Sequence, residues 1–80
     1  MSRSNLRFRK IIGEALDQGR TSIEVGAMYG IPTDQVRRLF VEYNKDRRAL
    51  EMLRRGTEPV LVAATLRIHA SRVQRLAEEL

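Results

Sequence analysis

The sequence holds no cysteine and no tryptophan. Without cysteine it has no disulfide framework and no thiolate metal site. Histidine occurs once, at His69. One histidine without a cysteine partner makes no metal or catalytic constellation, so His69 is not read as a ligand. There is no Gly-rich phosphate loop and no nucleophile–base arrangement. The expectation is a non-enzyme with no cofactor, no metal and no small-molecule substrate. No apolar run approaches the roughly 18 residues of a membrane span. The start, Met1-Ser2-Arg3-Ser4-Asn5, lacks the apolar stretch of a secretory signal. These absences, with the missing cysteine, set the expectation of a cytoplasmic protein that makes no membrane contact.

What is present is charge and repetition. Fifteen Lys and Arg stand against ten Asp and Glu, a net charge of +5. Lysine occurs only at Lys10 and Lys45; the rest is arginine. Arginine is the better donor to phosphates and base edges. A basic balance on a small domain points to nucleic acid, although an Arg-rich proteome produces the same bias. At 80 residues the chain is one compact domain or two very small ones. Two such units would be weak alone, so they are expected to pack on each other or the chain to dimerise.

Sliding the chain by 37 residues lays Gly13–Leu39 over Leu50–Leu76 without a gap. Glu14, Leu16, Gly19, Val25, Ala27, Ile31, Val36, Arg38 and Leu39 meet identical residues. Most matches are apolar or glycine, the residues a fold needs. The repeat reads as a duplicated supersecondary unit, too short for an open solenoid. The expected domains are 1–43, with a basic N-terminal arm, and 44–80.

The first helix is expected over Leu6–Gln18, with Phe8, Ile11, Ile12, Ala15 and Leu16 as its apolar face. Gly19 ends it. Thr21-Ser22-Ile23-Glu24 is a capping box opening a short second helix that stops at Gly30. Pro32 or Thr33 starts the third, with Val36, Leu39, Phe40 and Tyr43 inward. The repeat register places a new helix near Lys45, capped by Asn44; one long helix through Asn44 is the alternative. Ala49, Leu50, Met52 and Leu53 are apolar in the fourth helix, which Gly56 ends. Pro59 fits the first turn of the fifth. The sixth, from about Ala70, turns Val73, Leu76, Ala77 and Leu80 inward. Tyr29, Phe40, Tyr43 and the methionines are read as core. The fold class is therefore all-α: six helices in two tandem trihelical units. Leu61 replaces Glu24 between the copies and is expected to be covered, by the other unit or by a second chain.

Each copy has an orienting helix, a short helix, a tight turn and a second helix. In the first, Val25, Gly26, Gly30, Ile31, Val36 and Leu39 stand at the positions of core, close contact, turn and clamp. This layout resembles the helix-turn-helix superfamily of DNA-binding proteins, especially the trihelical units of transposases, recombinases and small phage-type regulators. The second copy keeps a small residue at Ala63 but departs at Arg67, where the family has the turn glycine.

The resemblance implies that the last helix of each copy enters a major groove by its N-terminal half. It carries DNA contacts to Thr33, Gln35, Arg37 and Arg38, and to Ser71, Arg72, Gln74 and Arg75. Asp34 and His69 lie beside them, Asp34 more simply as a charge favoured at a helix start. Arg3 and Arg7, with Arg9 and Lys10, form a basic stretch that reads as an arm along DNA or as a solvated end. Lys45, Arg47 and Arg48 read more simply as an exposed helix start than as phosphate contacts. Two functions follow. One is a sequence-specific, double-stranded-DNA-binding transcriptional regulator of phage or mobile-element type, acting as a monomer or a homodimer. The other is a protein-interaction regulator, an antiactivator or adaptor binding a transcription factor or polymerase subunit. The apolar fifth helix, Arg67 and the acids near the readers favour the second.

Overall fold

The computed structural model describes residues 6–80. Arg3, named above as part of an arm, lies outside the described residues. The described chain is all-helical, with no strand. Its helices are α1 (Leu6–Asp17), α2 (Ser22–Tyr29), α3 (Thr33–Arg54), α4 (Pro59–Leu66) and α5 (Ala70–Glu78). The all-α expectation holds, but the expected count of six helices does not. The break expected at Asn44 is absent, and α3 runs unbroken for 22 residues. The physical reason lies in what the stretch lacks. No Gly or Pro occurs between Thr33 and Arg54. Asparagine inside a helix costs only about 0.7 kcal/mol or less. Two additional helix ends would leave further backbone groups in need of partners.

The chain divides into two compact units, Met1–Asn44 and Lys45–Leu80, so the division falls inside α3. In the first unit Ile12, Ala15, Val25 and Val36 form a buried cluster. Phe8, Leu16, Ile31 and Leu39 pack against it. Positions 8, 12, 15 and 16 share one face of α1 by helical spacing. Ile11, expected on that face, is exposed instead. Gly13 is buried in its place, and Tyr43 lies against it.

The short α2 is held at both ends. Thr21 Oγ1 accepts from the Glu24 N–H at 3.1 Å, and the Thr21 N–H donates to Glu24 Oε1 at 2.9 Å. This is the capping box expected from the sequence. At the other end Gly30 turns the chain with φ 69° and ψ 34°. Its N–H returns to the Gly26 carbonyl, which also accepts from Ile31 at 2.9 Å. A Cβ on Gly26 would lie 2.7 Å from the Ile31 carbonyl oxygen and 3.6 Å from Val36 Cγ2. Glycine at 26 therefore lets both the turn and the start of α3 come close.

In the second unit Ala49, Val62, Val73 and Leu76 are buried. They stand 37 residues after Ile12, Val25, Val36 and Leu39. Each of the last three repeats the earlier residue type, which makes the inner packing of the two units alike position by position. The start of α4 differs from that of α2. Glu58 caps it without a side-chain bond, and Pro59 takes the first turn, where a missing N–H costs nothing. Its far end is Arg67, with φ 57° and ψ 49°. The turn after α4 thus has the left-handed geometry of Gly30, built with a side chain that pays about 1–2 kcal/mol for it.

Two expectations about burial are corrected. Leu80 is exposed, because α5 ends at Glu78 and the last residue has passed its apolar face. Met28 and Tyr29 are exposed at the end of α2, one turn beyond the buried Val25. Leu61, expected to be covered by the other unit or by a second chain, is 54% exposed.

Candidate nucleic-acid interface

Two helix starts carry the residues singled out for DNA contact. The first is the N-terminal half of α3, inside the first unit. Val36 is fully buried and Leu39 partly so, which anchors one side of this helix. Residues 34, 35, 37, 38 and 41 then project from the other side by helical spacing. Asp34, Gln35, Arg37, Arg38 and Val41 are all exposed. Thr33, the first residue of the helix, is half-buried and less open than expected for a reader. Asp34 sits in the first turn, where its charge complements the helix dipole. It also stands three and four residues before Arg37 and Arg38, spacings at which side chains are neighbours. The exposed face is therefore mixed in charge: two guanidinium groups, one amide, one carboxylate and one aliphatic side chain.

The second is α5. Val73 and Leu76 are buried and fix its inward side. Ser71, Gln74 and Arg75 are exposed, with Glu78 on the same side. Arg72 does not join them. It turns back to Asp46 on α3, in the same unit. Arg72 Nε donates to Asp46 Oδ1 at 2.8 Å, and Arg72 Nη2 reaches the same oxygen at 2.7 Å. The side chains are 18% and 9% exposed. A guanidinium held in this way is an internal tie between α3 and α5, and the expectation that Arg72 reads DNA is corrected accordingly.

Reading the sequence alone missed Asp46. The signal was present in the repeat. Asp46 stands at the register of Arg9, and Arg72 at that of Gln35. Two partners thus changed together between the copies, one gaining a negative and the other a positive charge.

Of the arm residues, Arg7 lies exposed in the first turn of α1. Arg9 is half-buried. Lys10 is exposed. The other groove-like feature of the first unit is apolar. Ile11, Ala15, Met28 and Tyr29 line a shallow depression between α1 and α2, rimmed by Glu14, Gln18 and Arg20. Among the described residues no group of His, Asp and Glu is placed to hold a metal ion. No described helix is long and apolar enough to cross a membrane. No protein-family model matches the chain, and neither the curated proteins nor the solved structures contain a significant match.

Proposed function

We propose that the chain is a small double-stranded-DNA-binding transcriptional regulator, cytoplasmic and without enzymatic activity, built from two helix-turn-helix units. The observation that carries this reading is the face of α3 that bears Gln35, Arg37 and Arg38. It is exposed, it follows a left-handed turn at Gly30, and Val36 and Leu39 hold its reverse side in the core. Gln and Arg are the side chains that make paired contacts to adenine and guanine edges in the major groove. Arg7 and neighbouring cations supply phosphate anchoring, which positions a protein without reading sequence.

The two units are unequal in this reading. The first offers Gln35, Arg37 and Arg38. The second offers Ser71, Gln74 and Arg75, but Arg72 is engaged with Asp46 and Glu78 faces the same way as Gln74 and Arg75. The first unit is the principal reader, and the second adds phosphate contact through Arg75.

The test is a salt titration of binding to random and selected duplexes, followed by fluorescence anisotropy, with Arg38→Ala combined with Arg75→Ala. Each lost phosphate contact flattens the slope of log K against log salt by about 0.9. Unchanged affinity and slope in a folded variant overturn the proposal.

A second reading is favoured by one observation. Val60 and Leu61 are exposed on α4, a helix with no charged residue. In that reading the chain is an antiactivator or adaptor whose partner is a transcription factor or polymerase subunit. It predicts no salt-dependent binding to duplex DNA at all.

A further inference from the structure

The outward face of α4 is unlike any other helix face of the second unit. Its exposed members are Val60, Leu61, Ala64 and Thr65, with Val60 66% and Leu61 54% exposed. Val62, on the opposite side, is fully buried. No charge lies anywhere in Pro59–Leu66, in a chain that is 31% charged. Such a face gains nothing from phosphates and loses by contact with water. The corresponding face in the first unit carries Ile23, Glu24, Ala27 and Met28, and its Glu24 is occupied in the capping box.

We propose that this face docks on the same face of a second copy of the chain, with the two α4 helices antiparallel about a two-fold axis. Two complementarities single out that occupant. The first is size. The large side chain, Leu61, stands toward the N-terminal end of the face and the small one, Ala64, toward the C-terminal end, flanked by Val60 and Thr65, which are alike in size. An antiparallel pair therefore sets large against small twice, as close packing of helices requires. A parallel pair sets large against large. The second is charge. Glu58 caps the start of α4 and Arg67 caps its end, both exposed. Antiparallel alignment brings Glu58 of each chain beside Arg67 of the other, closing the rim with two opposite-charge pairs. An isologous interface must be self-complementary, and this one is, in both respects. The proposal stands apart from DNA binding, and its test contains no DNA.

Sedimentation equilibrium of the full chain over a wide micromolar range is expected to show the average mass rising from 9.2 kDa toward twice that value. Leu61→Glu restores the residue type found at the same register in the first copy. It is expected to weaken association by roughly tenfold or more while leaving the melting curve cooperative. Glu58→Arg and Arg67→Glu singly each break both rim pairs and weaken it about three- to tenfold. Combined, they restore the pairs in reverse and recover the parent affinity. That recovery is not a stability effect, because the double variant carries both unfavourable helix-end charges. A chain that stays monomeric at every concentration overturns the proposal. So does a dimer indifferent to Leu61→Glu, or a double variant weaker than either single one. Association only with a different protein has the same consequence.

Discussion

The ring of Tyr43 occupies the space that a side chain at position 13 would need. A Cβ built on Gly13 would overlap the atoms of that ring. Tyr43 is buried, stacks on Phe40 with ring centroids 6.2 Å apart, and donates its hydroxyl proton to Asp17 Oδ2 at 3.2 Å. The glycine in the middle of α1 is thus a packing device that lets α3 lie close within the first unit.

Gly→Ala inside a helix ordinarily gains about 1 kcal/mol. At position 13 the sign reverses. The Tyr43 ring cannot move without breaking its stack and its bond to Asp17, and forced repacking costs about 1–3 kcal/mol. Gly13→Ala is expected to destabilise the protein in urea titrations. Adding Tyr43→Leu, the residue type found 37 positions later, is expected to recover part of the loss. A more stable Gly13→Ala protein contradicts the packing argument.

Arg67 and Gly30 make the same left-handed turn with different means. Arg67→Gly removes the steric penalty and is expected to stabilise by about 1 kcal/mol, the unfolded-state entropy of glycine offsetting part of the gain. Gly30→Ala is expected to cost about 1 kcal/mol or more, since φ 69° is strained for any side chain. Thermal melts of both variants, compared at one temperature, check the pair of signs.

Removing one partner of the Asp46–Arg72 tie takes from a buried charge the opposite charge held 2.7 Å away. Arg72→Ala is expected to destabilise by about 3 kcal/mol or more, a loss of the kind seen when buried pairs are broken. Replacing both, Asp46→Leu with Arg72→Met, is expected to be far milder, because no charge is then stranded. The double variant also separates structure from recognition. Folded and lacking Arg72, it is expected to bind duplex DNA with affinity close to that of the parent, whereas Arg37→Ala or Arg38→Ala lowers affinity without unfolding the chain.

Thr21→Ala removes the hydroxyl that accepts from the Glu24 N–H, while the residue-21 N–H can still donate to Glu24, and is expected to cost about 1 kcal/mol. The equivalent change in the second copy, Glu58→Ala, is expected to cost less, because Glu58 caps α4 without a side-chain bond and the helix begins on Pro59. Chemical denaturation of both alanine variants measures the difference.

Much of this fold is local and was legible for that reason. Gly19, Gly30 and Gly56 all have positive φ and all end helices, as glycine at a boundary permits. Thr21 and Glu24 announced their cap three residues apart. The repeat located the buried valines at 25, 36, 62 and 73. What escaped reading had long-range causes. A helix boundary at Asn44 satisfied the repeat register, but nothing in the chain forces a helix to stop there. Ile11, Met28 and Tyr29 have core chemistry, yet they line an open depression between α1 and α2 that no described residue of the first unit fills. Arg72 has the chemistry of a reader, and only the nearness of Asp46, 26 residues away, withdraws it.

The amino-acid order by itself determined the all-helical class, the turns at Gly19, Gly30 and Gly56 and the two matching sets of buried aliphatic side chains, because caps, left-handed glycines and apolar spacing act within a few residues. Tertiary structure decided which arginines remain open to a partner, which glycine must stay bare and which leucine faces water. Those outcomes depend on what approaches from elsewhere in the chain: a carboxylate beside Arg72 and an aromatic ring over Gly13.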